Sequence, residues 1–179
     1  SAAAFPLADY RHIPMIAMNG SLLRLQQDNI PAFFYLCDDP RFVKARHDVI
    51  AMAANEADNI ALNAPSLERF IQLHPYCEWH ATPYLLERVN RSWRQPRLLD
   101  RRYAWAIRHD PKLLSGFSLL RKKPNRLGFS TNMTKGYYSA RTIPYAALQL
   151  ACHLGFSHAF LIGLDLSPEL GRCYPEQGR

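Results

Sequence analysis

Polar and acidic side chains collect in this chain at turns beside short hydrophobic runs, and those turns set the chemistry open to it. Asn19-Gly20-Ser21 follows the apolar run Ile13–Met18, and Asp38-Asp39-Pro40 follows Ala32–Cys37. Tyr137-Tyr138-Ser139 and Thr142 lead into an apolar stretch of helical spacing, and Asp165 follows Gly163 at the end of a last apolar run. If the runs are strands of an open α/β sheet, the turns lie at its carboxyl edge, where ligands bind. A helix start adds unpaired N–H groups and the positive end of a dipole, which suit a phosphate. Asn19, Gly20 and Ser21 are then candidates to touch a ribose or base, or they are a plain cap and turn. Asp38 and Asp39 can accept from a ribose hydroxyl. One of them can instead serve as a general base raised in pKa by its twin, or one caps a helix while the other is solvated. The Tyr138 hydroxyl can donate to a phosphate or pack in the core, and Asp165 can contact a ligand or form a turn.

Other chemistries find less support. The four cysteines contain no C-x-x-C pair and the seven histidines no H-x-x-x-H pair. No second carboxylate lies within three residues of Asp165 in sequence, and no metal site is expected. The longest apolar runs are too short to cross a bilayer. The formal charge of +7 calls for an anionic partner. It is concentrated between Arg88 and Arg126, where Arg91, Arg94, Arg97, Arg101, Arg102, Arg108, Lys112, Arg121, Lys122 and Lys123 interleave with Trp93, Tyr103 and Trp105. Arginine mixed with tryptophan and tyrosine suits a membrane interface as well as a nucleic acid.

The elements that must position these groups read as alternating strands and helices. Strands are expected over Ile13–Met18, Ala32–Cys37, Asn59–Asn63 and Tyr76–His80, with helices over Leu22–Gln27, Pro40–Asn55 and Pro65–Leu73. Asp38 or Asp39 caps the second helix, with Pro40 at its first position. Thr82–Asp110 reads as an insertion, Leu113–Leu120 as a helix, Thr142–Leu154 as a helix capped by Gly155, and Ala159–Ile162 as a strand. The sum is a single α/β domain over residues 1–179. It is a Rossmann-like, open, mainly parallel sheet with helices on both faces and a basic, aromatic-rich insertion or lid at about 82–126.

Two stretches carry a family resemblance. Ile16-Ala-Met-Asn-Gly-Ser-Leu with Ile30-Pro-Ala-Phe-Phe-Tyr-Leu-Cys-Asp-Asp-Pro-Arg-Phe resembles the N-terminal half of the lipopolysaccharide core biosynthesis proteins that add a third Kdo residue. Gly136-Tyr-Tyr-Ser-Ala-Arg-Thr-Ile-Pro-Tyr-Ala-Ala-Leu-Gln-Leu-Ala with Gly163-Leu-Asp-Leu is similar to their second half. The motifs recur in a wider group that includes bacterial CMP-sialic-acid sialyltransferases, flagellin-modifying glycosyltransferases and a pterin pyrophosphokinase. The resemblance implies a transferase that takes a keto-sugar acid from a CMP-sugar such as CMP-Kdo, which is a donor substrate; no cofactor and no structural metal are implied. Asn19 and Asp39 match positions that hold the nucleotide in the sialyltransferases, and Ser139 and Thr142 match the segment that meets its phosphate. The family's phosphate loop after the first strand would precede Ser1, and the sialyltransferases' catalytic histidine would follow the chain's end. The chain is therefore expected to lack N- and C-terminal portions of the full protein.

The functional expectation is Kdo transfer from a CMP-sugar to the lipopolysaccharide core. Asp38 serves as base, and Asn19, Gly20, Ser21, Asp39, Tyr138, Ser139, Thr142 and Asp165 hold the donor. The protein is expected in the cytoplasm, peripheral on the anionic inner-membrane surface, with no nucleic-acid partner. One alternative is diphosphate transfer from ATP, with Mg²⁺ on Asp38, Asp39 or Asp165. Another is a non-catalytic nucleic-acid- or membrane-binding module.

Overall fold

Four of the short hydrophobic runs pair into one parallel sheet. In the computed structural model, which describes residues 5–92, 94–139 and 142–163, the strands are β1 (Ile16–Met18), β2 (Phe34–Cys37), β3 (Asn59–Leu62) and β4 (Thr82–Leu85). They lie side by side in chain order, each parallel to the next. β2 is buried at every residue and β3 at its last three. Strands covered on both faces read as continuous apolar runs rather than alternating ones. The helices around the sheet are α1 (Leu22–Gln27), α2 (Pro40–Ala45), α3 (His47–Glu56) and α4 (Ala64–Leu73). Val43, Val49, Ile50, Ala53 and Phe70 pack from them onto Tyr35, Ile60 and Leu62 in one core. The architecture is the expected α/β one. Met18 stands opposite Leu36 and Cys37 opposite Leu62, so the residues after β1, β2 and β3 emerge at the same edge.

Two expectations about the first unit are corrected. The helix expected over Pro40–Asn55 is two helices, because Arg46 leaves the helical region (φ −132°, ψ 49°). The fourth strand is Thr82–Leu85 and not Tyr76–His80. Tyr76 is 95% exposed, and the chain there is a connection, tied down where the His80 and Ala81 N–H groups donate to the Ala54 carbonyl. The actual strand was hidden by Pro83 and by its exposure at every residue. At the last position in a sheet, a proline's missing N–H costs the ladder nothing.

The chain divides into two compact units, Ser1–Leu85 with Phe160–Arg179, and Leu86–Ala159. The second is built from α5 (Asp100–Ala106), the antiparallel pair β5 (Leu113–Ser115) and β6 (Gly128–Ser130), and α6 (Ile143–His153). The helix expected at Leu113–Leu120 is thus a strand: Leu113 pairs with Ser130 and Ser115 with Gly128, and the Gly116 N–H donates to the Leu127 carbonyl. Phe160, Leu161 and Ile162, expected in a last strand, have no neighbouring strand among the described residues. They are 78%, 46% and 38% exposed. An apolar run becomes a strand only where a ladder partner exists.

One buried side chain organises the second unit. Gln149 of α6 is fully buried; its Oε1 accepts from the Ser130 and Tyr138 N–H groups, both at 2.9 Å. Its Nε2 donates to the Tyr138 and Tyr145 carbonyls, also at 2.9 Å. All four bonds require one orientation of the amide, which uses its whole donor and acceptor capacity. Gly128 lets Tyr138 lie against β6, since a Cβ there would overlap the Tyr138 ring. Gly136 (φ 95°) turns the chain so that the Tyr137 N–H donates to the Glu87 carbonyl.

Candidate functional site

In the first unit the carboxyl edge of the sheet gathers the expected residues. Asn19 begins a short 3₁₀ turn straight after β1 and takes a left-handed backbone (φ 48°). Asparagine is among the few residues that adopt it at modest cost. The Asn19 carbonyl accepts from the Tyr35 hydroxyl at 3.1 Å, which ties the turn to β2. Its side-chain Oδ1 is buried with no hydrogen-bond partner among the described residues. A buried amide oxygen without a donor is costly, and such a group asks for an explanation such as a ligand donor. Gly20 is buried, and the Ser21 Oγ accepts from the Met18 N–H at 2.8 Å, which fixes the turn.

After β2, Asp39 caps α2: its Oδ1 accepts from the Arg41 N–H at 2.9 Å, with Pro40 at the first helical position. One aspartate is therefore the cap, as expected, and the adjacent Asp38 is not spent on that task. Asn63 enters the site although sequence reading placed it only at the end of a strand. Its Oδ1 caps α4 by accepting from the Ser66 N–H, and its Nδ2 donates to the Asp38 carbonyl at 2.6 Å. Asn63 is thus a positioning residue for Asp38. The signal was the shared place of Asp38 and Asn63, each directly after a strand. Cys37 ends β2 beneath them, and burial pushes its thiol up to about 12. It stays a neutral packing group.

The remaining expected residues belong to the second unit. Tyr138 is buried with Tyr103 and Leu113. Its hydroxyl is buried beside Ser115 without reaching good hydrogen-bond geometry, and burial raises the phenol's pKa, so it remains protonated. Ser139 follows, held in place through the two bonds that Gln149 makes with the Tyr138 backbone. Thr142 precedes α6 as its N-cap residue, is exposed, and makes no side-chain capping bond. Asp165 lies outside the described residues.

Tyr138 and Ser139 line a cleft of about 230 Å³ whose other walls include Arg88, Arg97, Asn125 and Arg126. The Asp100 carboxylate orders it. Oδ2 accepts from Arg126 Nε at 2.6 Å, Oδ1 accepts from Asn90 Nδ2 at 2.9 Å, and Arg97 stands 3.8 Å away. The side chains of Arg97 and Arg126 remain 65% and 59% exposed. Arg88 donates through Nε to the buried Tyr137 hydroxyl at 3.2 Å. Three arginines thus stand against one aspartate, and planar guanidinium groups suit carboxylates and phosphates. Sequence reading placed these arginines in a basic stripe; that they share one cleft with Ser139 follows from folding alone. Tyr103, counted there among interfacial aromatics, is a core residue, and Trp105 is half exposed with Arg108 stacked 3.7 Å over its ring. Trp93 lies outside the described residues.

The two groups of residues belong to different units. Among the described residues no three histidine, cysteine or acidic side chains come together as a metal site. No helix among them is long and apolar enough to cross a membrane.

Comparison with known proteins places these features in a family. The profile described as "3-deoxy-D-manno-octulosonic acid transferase WaaZ" matches residues 1–179. The chain is 29% identical over 176 residues to a "Probable 3-deoxy-manno-octulosonic acid transferase" of Escherichia coli (strain K12), covering 96% of this chain and 60% of that protein. It is 27% identical over 172 residues to the protein of the same name from Salmonella typhimurium (strain LT2), covering 96% and 63% respectively. The chain thus spans about three fifths of the length of the curated relatives it matches. No solved structure gives a significant match.

Proposed function

Because the chain belongs to the 3-deoxy-D-manno-octulosonic acid transferase WaaZ family, we propose that it transfers Kdo to a sugar hydroxyl of the lipopolysaccharide core. The whole-chain family match carries this reading, and the carboxyl edge of the first unit supports it. There an asparagine in a left-handed backbone presents a buried, unmatched oxygen at the same sheet edge as two adjacent aspartates. In this reading the donor is a CMP-linked sugar. Asn19 with Gly20 and Ser21 meets the nucleoside, the buried Oδ1 of Asn19 accepting from a ligand N–H or O–H. Asp39 accepts from a ribose hydroxyl while keeping its cap. Within the second unit, Ser139 serves a phosphate at the arginine cleft that it lines, while the Tyr138 hydroxyl is a buried core group.

The reaction balances simply. The acceptor hydroxyl oxygen forms a bond to the anomeric carbon of the keto-sugar, and that carbon's bond to the CMP phosphate oxygen breaks. The acceptor's proton passes to the Asp38 carboxylate, and CMP leaves as an anion that N–H and hydroxyl donors must stabilise. The Arg88–Arg97–Arg126 cleft suits the carboxylate of a keto-sugar or a phosphate of the core acceptor. The protein works in the cytoplasm, peripheral on the inner membrane that bears its acceptor.

The test incubates the chain with CMP-Kdo and a core acceptor lacking the last Kdo, with product mass as readout. Thermal shift with CMP and with ATP plus Mg²⁺ runs beside it. Addition of one Kdo and stabilisation by CMP are expected. Stabilisation by ATP–Mg²⁺ and not by CMP overturns the donor assignment and moves the chain to the pyrophosphokinase side of its resemblance.

A further inference from the structure

The connection between β5 and β6 is ordered at its base and apolar at its tip. Asn125 is buried inside it. Its Oδ1 accepts from the Ser118 N–H at 2.9 Å, and its Nδ2 donates to the Ser118 and Arg121 carbonyls at 2.8 and 3.0 Å. The Arg121 N–H donates to the Ser118 Oγ at 2.9 Å, and Pro124–Arg126 forms a 3₁₀ turn. The loop is therefore a built object, yet it holds out two adjacent leucines, Leu119 at 66% and Leu120 at 95% exposure. Leu114 and Leu127, on one face of the β5–β6 ribbon by strand alternation, add further exposed apolar surface. From Gly116 to Leu127 the loop carries Arg121, Lys122, Lys123 and Arg126 and no acidic residue.

We propose that this loop is the protein's bilayer anchor, seating Leu119 and Leu120 among the acyl chains of an anionic membrane while Arg121 and Lys123 meet lipid phosphates. Charge complementarity selects the occupant. A second copy would bring Arg121, Lys122 and Lys123 against the same three cations. A nucleic acid would find no base-stacking ring at the tip, because Phe117, the loop's one aromatic residue, packs on Trp105 at 5.2 Å. Apolar residues beside lysine and arginine are the composition of interfacial segments, and cations add attraction near an anionic surface. The inference rests on the proposed function only in that the acceptor of a core transferase is borne on a membrane.

Flotation of the chain with vesicles tests it, using phosphatidylethanolamine with a quarter phosphatidylglycerol against pure phosphatidylcholine. The wild-type chain is expected to float with the anionic vesicles. Leu119→Ser with Leu120→Ser should cut partitioning by about tenfold or more, the scale of one withdrawn leucine. Arg121→Gln with Lys123→Gln should cut it several-fold and remove the preference for anionic lipid. Wild-type circular dichroism and melting confirm that the variants are folded. Failure to float, or flotation unchanged by the leucine pair, overturns the anchor. So does a concentration-dependent dimer abolished by that pair, which would give the leucines to a second copy. CMP binding on the same variants separates the two readings. A chain that floats through its leucines but binds no CMP keeps the anchor and loses the donor assignment, and the reverse result loses the anchor alone.

Discussion

Replacing Gln149 with leucine should nearly dismantle the second unit. The substitution conserves volume but leaves the Ser130 and Tyr138 N–H groups and the Tyr138 carbonyl buried without their partner. Each orphaned group costs about 1–3 kcal/mol. Set against the gain from a buried leucine side chain, the net loss is roughly 1.5–6 kcal/mol. A typical domain has only about 5–15 kcal/mol in all. Urea unfolding is the assay. Trp105 reports on the second unit and Trp79 on the first, so the variant should lose the Trp105 signal at far lower urea while the Trp79 transition stays put. Gln149→Glu makes a sharper control. It keeps an acceptor for the two N–H groups but sets a buried carboxylate against the Tyr138 and Tyr145 carbonyls. Burial raises that carboxylate's pKa, so its stability should improve as pH falls and the group becomes protonated. A loss under about 1 kcal/mol for Gln149→Leu would refute the claim that this amide holds Tyr138 and Ser139 in place.

Further predictions concern the first unit. Asn19→Gly relieves the left-handed backbone and should leave thermal stability unchanged or raised while weakening CMP binding; equal CMP affinity would remove Asn19 from the site. Asp39→Ala should cost about 1 kcal/mol through loss of the α2 cap, whereas Asp39→Asn retains stability, so CMP binding by Asp39→Asn isolates the ligand role. The Arg46 guanidinium holds the Asp48 carboxyl below its ordinary value. Its stabilisation is therefore whole above the unfolded carboxylate pKa of about 3.9 and fades as pH falls through the lower folded value. Asp48→Asn should flatten that acid-side slope in a melting-versus-pH series. Cys37, with its thiol raised to about 12 and no exposure, should resist iodoacetamide at neutral pH under conditions that label the exposed Cys152; mass mapping reads the result.

What could be read from the sequence depended on locality. Ser-, Asp- and Asn-bearing turns next to apolar runs are local signals, so Asn19, Asp39 and Asn63 were placed at strand ends and α1 was bounded at Leu22–Gln27, as observed. β4 was misplaced because an exposed edge strand containing Pro83 carries neither alternation nor a buried run. β5 was read as a helix because Leu113–Leu120 has no period of its own; its strand state is imposed by β6, across the loop that Asn125 clamps. The arginine cleft was the least legible feature. Arg88, Arg97 and Arg126 look alike in sequence, and only Asp100 and the Tyr137–Tyr138 backbone bring them onto one wall.

The order of the strands also fixes how the sheet can be made. Each crossover returns the chain to the strand just laid down, so the sheet can grow by addition at a single edge as the polypeptide leaves the ribosome. None of the four described strands must wait for a distant segment, which keeps loop closures short and assembly fast. Growth of this kind needs a stop, because every newly added strand offers its open side to the next extended peptide, whether from the same chain or another. Pro83 resists such addition: a ring nitrogen in the last strand of this sheet among the described residues has no hydrogen to donate, which blunts that edge against strand addition.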